Sequence, residues 1–360
     1  MHSMHIIGSR GPGGAEGFYC RLVKGLARSG FPVHAINPPH SEVGKRLNGA
    51  VPQAQIRMHG AWDLLARFRI ERAIGSLRPA IVQTYLGRAT RLTHIPDRSG
   101  PIHIARLGGY YNLKAYRHAH AWIGNTRGIC AYLIRGGFPA DRVYYIGNFV
   151  DIPAEFDGDR NTYREQLGIP GDALVVLTVG RLHKVKGIDV LLHARTHLPE
   201  RIAERPVHFI IAGDGPMRRE LERLAQDLPF NERTHFVGWQ QDPSPYYEIC
   251  DLLVSPTYHE ALGNTILEAW AYHCAVLATG TEGPKELIDH GETGWLVTKG
   301  DPLALAGGIL RCLADSSLRG RLGEMGHQKV RREFSPEVII RRYQQLYAQL
   351  IEKWRRSAEH

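Results

Sequence analysis

The sequence predicts an α/β protein built from two similar lobes, each with a parallel sheet. The chain has 360 residues, more than one hydrophobic core usually serves, so its length favours two domains. Short apolar strand-like runs alternate with amphipathic helical runs, which is typical of parallel α/β layers. The alternation breaks once, at the acidic stretch from Asp151 to Arg160, which we interpret as the linker between the lobes.

The first lobe is predicted to span residues 1–155. It begins with a strand at His5–Gly8, passes through a glycine loop at 11–14 and enters an amphipathic helix from Glu16 to Ser29. A second helix is predicted from Trp62 to Leu77, ending before a proline. The remaining strands of this lobe are predicted at the apolar runs 30–36, 80–83, 102–105, 121–125 and 143–148.

The second lobe is predicted to span residues 165–335. It restarts the pattern with a strand at Leu174–Leu177. Residues 336–360 are predicted to form a C-terminal helix, because apolar residues recur there at helical spacing: Ile339, Ile340, Tyr343, Leu346, Tyr347 and Leu350.

The bulk composition, 43% hydrophobic and 22% charged, is that of a globular protein. No apolar run approaches the roughly 20 residues of a membrane span, and the first residues lack a signal-peptide core, so a cytoplasmic location is expected. The five cysteines are scattered, which argues against a disulfide framework or a structural zinc. The nineteen histidines show no ligand-like spacing, and no metal site is predicted.

Positive charge is concentrated in the first half of the chain. Residues 1–160 hold 21 Lys and Arg against 10 Asp and Glu, whereas the remainder holds 24 against 26. Such an excess attracts an anionic bilayer or an anionic acceptor; nucleic acid is disfavoured, because no nucleic-acid motif is present. A solvated basic surface with no partner is the alternative.

The predicted helix at 62–77 has two interpretations. Arginines beside Trp62 and Phe68 are typical of a helix that lies on a membrane surface. An apolar stripe of Leu64, Leu65, Phe68 and Ile70 packed on the first sheet explains the same pattern, and we favour packing. The two interpretations are not exclusive.

The segment from His259 to Glu268 is the most informative about function. It follows an apolar strand-like run and leads into a helical run at 265–271, so Glu260 and Glu268 can both face that helix's N-terminus. A helix N-terminus favours a phosphate, whereas carboxylates accept hydrogen bonds from sugar hydroxyls. Phosphate and polyol recognition together indicate a nucleotide sugar.

This spacing resembles the E-x7-E motif of retaining glycosyltransferases of family 4, which have the GT-B fold. Four further blocks resemble that family in the same order: Val176–Leu182 with Lys186-Gly187, Phe209–Pro216, His235–Gly238 and Gly294–Val297. All five blocks agree over roughly residues 174–300, which makes the resemblance specific.

The resemblance implies a GT-B fold, with two Rossmann-like lobes facing across a cleft and the last helix returning toward the first lobe. It implies that Arg181 and Lys186 contact the donor diphosphate and that Glu260 holds hydroxyls of the donor sugar; we name these three as catalytic. The residues expected to bind the donor are Gly13, Gly14, Gly180, Val237, Gly263, Asn264, Thr265 and Glu268.

Because these cations and the helix dipole would neutralise the phosphate charge, no divalent metal and no cofactor are expected. Asp214 stands alone in a G-D-G-P turn and is assigned a turn role, with positive φ at Gly213 and Gly215.

The chain departs from the family pattern in two places. Where many members carry a histidine after a strand of the first lobe, this chain reads Ala105-Arg106-Leu107, and Tyr85 stands in a second family position. Tyr85 and Arg106 are therefore acceptor-side candidates, and no general base is assigned. His273 stands where the family has glycine, a change expected to alter only a turn.

The predicted function is retaining transfer of a sugar from a nucleoside-diphosphate sugar to a glycan or lipid-linked acceptor. The resemblance points to lipopolysaccharide or exopolysaccharide synthesis, with the enzyme peripheral at the inner face of the plasma membrane. A nucleotide-sugar epimerase and a catalytically silent nucleotide-sugar-binding scaffold are the alternatives. A dehydrogenase is disfavoured, because the glycine spacing at 11–14 does not fit G-x-G-x-x-G.

Overall fold

A computed structural model of the chain describes residues 2–11, 13–60, 62–96, 100–153, 160–229 and 231–358. The chain divides into two compact units: unit 1 comprises Met1–Phe149 and Pro336–His360, and unit 2 comprises Val150–Ser335. Most of the linker predicted between Asp151 and Arg160 lies outside the described residues, as do the last two residues of the predicted C-terminal helix.

Unit 1 contains a parallel seven-stranded sheet in the order β3-β2-β1-β4-β5-β6-β7, the strand order of Rossmann folds with one strand added. Its central strands are buried on both faces, and they carry buried polar residues such as His5, Gln83 and Arg106 among the apolar ones. The strands are β1 Ser3–Ile7, β2 Val33–Asn37, β3 Gln53–Gln55, β4 Ile81–Tyr85, β5 Ile102–Leu107, β6 Ala121–Gly124 and β7 Val143–Tyr145.

Five helices connect these strands, and side-chain caps fix where three of them begin. Asp63 accepts a hydrogen bond from the Ala66 amide, and Ser41 and Thr126 cap their helices in the same way. The helices are α1 Gly14–Arg28, α2 Glu42–Leu47, α3 Leu64–Leu77, α4 Leu86–Leu92 and α5 Arg127–Arg135.

Unit 2 contains a second sheet in the order β11-β10-β8-β12-β13-β14, again the Rossmann order, with β9 antiparallel to β10. Its strands are β8 Leu174–Val179, β9 Arg201–Ile202, β10 Arg205–Ala212, β11 Thr234–Gly238, β12 Leu252–Ser255, β13 Ala275–Thr279 and β14 Trp295–Val297. The helices are α6 Arg160–Gln166, α7 Ile188–Arg195, α8 Arg218–Asp227, α9 Ser244–Ile249, α10 Asn264–Ala271, α11 Glu282–Leu287, α12 Pro302–Ala314 and α13 Ser316–Glu333. The two Rossmann-type sheets confirm the predicted α/β fold class.

The final helix, α14 Pro336–Ala358, packs within unit 1. Its buried residues share a core with α1, where the Tyr343 ring lies 6.4 Å from that of Phe18. Polar contacts hold it to the sheet: Tyr347 Oη donates to Gln83 Oε1 at 2.7 Å, and Arg106 Nε donates to Tyr343 Oη at 3.0 Å. The C-terminal segment therefore completes the core begun by the first 149 residues.

The helix predicted at 62–77 is present, but it packs through different residues from those expected. Ala66, Ile70 and Ile74 are buried, whereas Leu64, Leu65 and Phe68 are exposed. Of the residues predicted to pack on the sheet, only Ile70 is buried. The inward face is formed by residues four positions apart, Ala66, Ile70 and Ile74. No helix in the described part of the chain has both the length and the apolar composition required to cross a bilayer.

The buried His5 makes the stability of unit 1 sensitive to acid. Its ring lies 2.8 Å from Tyr85 Oη and 3.1 Å from Ser3 Oγ, and burial, with a smaller effect of His2, lowers the pKa of His5 to about 3. In the unfolded chain the His5 imidazole becomes protonated as pH falls below about 6.5, whereas in the folded chain it stays neutral until pH approaches 3. The contribution to stability is therefore complete above pH 6.5 and is lost as pH falls toward 3, by up to about 1.4 kcal/mol per pH unit.

We expect denaturant unfolding of His5→Gln, measured at pH 7, 6 and 5, to show a shallower loss of stability than the wild type. The exposed His197→Gln serves as the matched control and should retain the wild-type slope. Equal slopes for His5→Gln and the wild type would contradict the assignment.

Candidate functional site

The carboxyl end of β8 is the point in unit 2 where the chain's connections diverge. β8 lies between β10 and β12, so the loop after β8 and the loop after β12 leave the sheet side by side. In open parallel sheets such a switch point forms a crevice in which ligands bind. The predicted site residues of the second lobe lie on these two loops, on helix α10 and near the end of β11.

Glycines allow these loops to touch through their backbones. Gly180 and Gly213 have φ of 156° and 155°, and a Cβ on Gly213 would lie 1.8 Å from the Gly180 carbonyl oxygen. The Gly213 amide donates to the Gly238 carbonyl at 2.8 Å, which ties the ends of β10 and β11 together. Gly187, with φ of 63°, lies against the Pro256 carbonyl in a space that admits no side chain.

An ion pair joins the two diverging loops. Lys186 Nζ lies 2.6 Å from Glu260 Oε2, and the side chains are 29% and 19% exposed. The backbone supports the same approach, since the Tyr258 amide donates to the Val185 carbonyl at 2.8 Å. Two predicted catalytic residues, 74 positions apart, are thus brought together with their charges partly open to solvent.

Helix α10 begins at this ion pair. Its N-cap is Gly263, with φ of 102°, which has no capping side chain, and Asn264 and Thr265 form the first turn. The Gly283 amide donates to the Glu260 carbonyl at 2.9 Å, so the chain around the glutamate is fixed from a second side. The positive end of the helix dipole therefore lies next to the Lys186–Glu260 pair.

Glu268 lies one turn into α10 and contacts the neighbouring helix α9. Its Oε2 accepts a hydrogen bond from Tyr247 Oη at 2.9 Å. Burial, together with the nearby carboxylate, raises the pKa of Tyr247 well above its usual value, so this phenol remains a donor. The contact orients one carboxylate oxygen of Glu268.

The other predicted residues of this lobe lie on the same edge. Arg181 is exposed directly after Gly180. Val237 is half-buried near the end of β11, and its carbonyl accepts from Gln240 Nε2 at 2.6 Å.

Asp214 occupies a turn, and its surroundings are those of a turn residue. Oδ1 accepts from the Gly215 amide at 2.7 Å, and Oδ2 pairs with Arg218 at 3.1 Å. Positive φ is found at Gly213 but not at Gly215, where the prediction was wrong. Gly215 is required instead because a Cβ would lie 2.4 Å from the Leu182 carbonyl oxygen. Among the described residues no group of three or more His, Cys, Asp or Glu is arranged to hold a metal ion.

In unit 1 the two predicted glycines lie at the start of α1, with Gly13 as the N-cap in extended conformation and Gly14 as the first helical residue. The two acceptor-side candidates lie on neighbouring strands of the sheet, β4 and β5. Tyr85 and Arg106 are both buried in the core of the unit. Tyr85 Oη accepts from Gln83 Nε2 at 2.7 Å, and the Arg106 guanidinium stacks 3.7 Å from the Phe18 ring centre and donates to Asn148.

Sequence reasoning missed a cavity at the carboxyl end of β4. Leu86, the first residue of α4, has φ of 63°, a conformation rare for leucine that turns the chain sharply out of the sheet. The cavity that follows has a volume of about 410 Å³ and is lined by Gly60, Gly87, Arg88, Arg91, Tyr111, Asn112, Ala115 and Tyr116. The chain departs from the family pattern at Tyr85, the last residue of β4, whereas the polar groups of the cavity come from the loops and the helix beyond the strand.

Comparison with known proteins places this architecture in a family. Residues 12–153 match the family described as Glycosyltransferase Family 4, and residues 159–329 match the one described as Glycosyl transferases group 1. The lipopolysaccharide core biosynthesis glycosyltransferase LpsE of Rhizobium meliloti (strain 1021) is 34% identical over 339 residues, covering 93% of this chain and 96% of LpsE. The chain belongs to glycosyltransferase family 4.

Two further similarities cover nearly the whole chain. A second lipopolysaccharide core biosynthesis glycosyltransferase of R. meliloti, LpsD, is 30% identical over 358 residues, covering 98% of this chain and all of LpsD. The crystal structure of Anabaena Alr3699/HepE in complex with UDP and glucose has a TM-score of 0.83 at 20% identity, covering 97% of this chain and all of that one. The likeness to HepE is one of fold, and it confirms the predicted GT-B class for this family 4 glycosyltransferase.

The contact between Gly213 and Gly180 yields a test of the site's architecture. We expect Gly213→Ala to lower the stability of the protein by about 2 kcal/mol or more, because the new methyl group collides with backbone at a φ that alanine disfavours. Thermal unfolding should show the loss. Gly307→Ala is the matched control: Gly307 is exposed within α12 with open space around it, so alanine should be neutral or stabilising by about 0.5–1 kcal/mol. Equal effects of the two substitutions would contradict the described contact.

Proposed function

We propose that this glycosyltransferase moves a sugar from a nucleoside-diphosphate sugar onto a lipid-linked acceptor in lipopolysaccharide core synthesis. The observation that carries the proposal is whole-length similarity to LpsE and LpsD, whose names state that role. Because such an acceptor is anchored in lipid, we place the reaction at the inner face of the plasma membrane, where the enzyme is peripheral.

We propose a uridine-diphosphate sugar as the donor. HepE, which shares the fold over its whole length, has been crystallised with UDP and glucose. In this proposal the base of the donor contacts the backbone at Val237 and Gly238, at the end of β11. Glu268, oriented by Tyr247, offers its carboxylate to the ribose diol.

Departure of the diphosphate is the step that the loops around Lys186 can assist. As the bond between the anomeric carbon and the diphosphate oxygen breaks, negative charge develops on the leaving oxygens. Arg181, Lys186 and the N-terminus of α10 supply positive charge for these oxygens. Glu260 holds Lys186 in position and accepts hydrogen bonds from the donor sugar.

We propose that configuration is retained by front-face displacement. The acceptor hydroxyl oxygen forms its bond to the anomeric carbon on the face from which the diphosphate leaves, and its proton passes to the departing phosphate oxygen. This route requires no protein nucleophile and no first-lobe general base. It is consistent with the burial of Tyr85 and Arg106 in the core.

We expect Lys186→Ala to lower kcat by roughly 100- to 1,000-fold, the usual cost of losing one donor that stabilises transition-state charge. The folded state should be retained, because the side chain is partly exposed. Lys184→Ala, which removes an exposed lysine from the same helical turn, is the control and should keep activity within about threefold. The rates of sugar transfer and of donor hydrolysis are measured. Unchanged rates in Lys186→Ala would contradict the proposed role of Lys186 in stabilising the leaving diphosphate.

Calorimetric titration with UDP, GDP, ADP and NAD, first with EDTA and then with magnesium, tests the donor proposal. We expect UDP to bind in EDTA and magnesium to change its affinity less than about threefold, since Arg181, Lys186 and the helix dipole carry the opposing charge. Binding that appears only with magnesium would refute metal independence. Failure to bind any nucleotide would refute the donor proposal, and tight NAD binding would overturn the assignment of a nucleotide-sugar site.

A further inference from the structure

The start of α3 presents a cluster of large apolar side chains to solvent. Trp62 is 86% exposed, Leu64 77%, Leu65 58% and Phe68 60%. The helix itself is well packed, because Ala66, Ile70 and Ile74 on the opposite face are buried against the sheet. Exposure of the four side chains is therefore a property of a folded helix with two apolar faces. We call these four residues the α3 patch.

The α3 patch stands out from the rest of the described surface. Ten large hydrophobic residues are exposed in the described part of the chain, and four of them fall within these seven positions. The other six are Tyr110, Ile134, Val185, Trp239, Leu303 and Leu310. A contiguous apolar cluster of this kind marks an interaction surface, whereas single exposed apolar residues are ordinary.

Arginines surround the α3 patch. On α3, Arg69 and Arg72 follow Leu65 and Phe68 by four residues, which places them on the same outward face. The ion pairs of the described residues include one between Arg67 and Glu71 but none that involves Arg69 or Arg72. Arg91 of α4 lies 6.0 Å from the Trp62 ring centre.

The local charge balance is strongly positive. Residues 57–78 contain five arginines and only two carboxylates. One carboxylate, Asp63, caps α3, and the other, Glu71, is paired with Arg67. The surface around the α3 patch is therefore apolar at its centre and cationic at its margin.

An anionic bilayer interacts favourably with both the apolar centre and the cationic margin of this surface. Tryptophan, leucine and phenylalanine enter the boundary between headgroups and acyl chains, and arginines bind the lipid phosphates. A second copy of the chain would instead bring like charges together, and a nucleic acid would leave the apolar side chains in water. We propose that the α3 patch, with Arg69 and Arg72, docks unit 1 onto an anionic lipid surface.

The position of the α3 patch connects docking with the acceptor. This step rests on the proposed function, in which the acceptor is lipid-linked. Gly60 lies two residues before Trp62, and Arg91 lies 6.0 Å from the Trp62 ring centre. Both residues also line the 410 Å³ cavity at the carboxyl end of β4. A headgroup sugar held at the membrane surface would reach this cavity without leaving the interface.

Flotation with vesicles tests the docking. The full-length protein is mixed with vesicles of phosphatidylcholine alone or with 30% phosphatidylglycerol, in 0.1 M and 0.5 M salt. We expect at least tenfold stronger partitioning to the anionic vesicles at low salt and a marked loss at high salt. Equal binding to both vesicle types, or no binding to either, would overturn the proposal.

Two variants separate the apolar and the cationic contributions. Trp62→Ser/Leu65→Ser/Phe68→Ser should lower partitioning more than tenfold, and Arg69→Gln/Arg72→Gln by about tenfold. The matched controls lie on unit 2: Leu303→Ser/Leu310→Ser removes two exposed apolar residues of α12, and Arg321→Gln/Arg331→Gln removes two exposed cations of α13. Thermal unfolding checks that all variants fold. Controls that lose partitioning as much as the test variants would overturn the assignment to α3.

Two further measurements keep docking distinct from catalysis. The docking variants should bind UDP as the wild type does and transfer sugar to a detergent-dispersed acceptor at the wild-type rate, while losing transfer to a vesicle-embedded acceptor. Loss of vesicle binding with UDP binding intact supports docking even if the proposed acceptor is wrong. If sedimentation shows that the triple variant dissociates a dimer and leaves vesicle binding unchanged, the α3 patch binds a second copy and the proposal fails.

Discussion

The divergence of the chain at β8 is the constraint on which the candidate site depends. Because β8 lies between β10 and β12, the loops that carry Lys186 and Glu260 leave the sheet in adjacent positions. The backbone also makes close contacts at this edge, between Gly187 and Pro256 and between Gly213 and Gly180. Lys186 thus shares one edge with a carboxylate and a helix N-terminus that lie at least 74 residues further along the chain.

Unit 1 is stabilised by a buried network of polar side chains. Its core contains a buried polar network in which Gln83 contacts both Tyr85 and Tyr347, and Arg106 contacts Tyr343. Buried polar groups of this kind are costly unless their partners are present, so the network specifies where α14 must lie. Tyr85 and Arg106, the two acceptor-side candidates, both belong to this network.

Much of the fold and of the second-lobe site could be predicted from the sequence, because periodicity and the spacing of Glu260 and Glu268 are local signals. The contacts that complete the site are not local. The Glu268–Tyr247 hydrogen bond depends on how α9 packs beside α10, and no spacing rule contains that information. The orientation of α3 is not determined by local sequence for a related reason. Its sequence carries two apolar faces, and only the position of the sheet decides that Ala66 rather than Leu65 is buried.

The first unit is discontinuous along the chain, since the whole of unit 2 is inserted between Phe149 and Pro336. The order of folding during synthesis follows from this arrangement. Unit 2 is continuous and can fold as soon as it leaves the ribosome, but the first 149 residues must wait for α14 to complete their core. At typical translation rates of 5–20 residues per second, that wait lasts roughly ten to forty seconds. The N-terminal segment is therefore synthesised first but completes its folding last. During that interval its basic, partly apolar surface is exposed while its core is still incomplete.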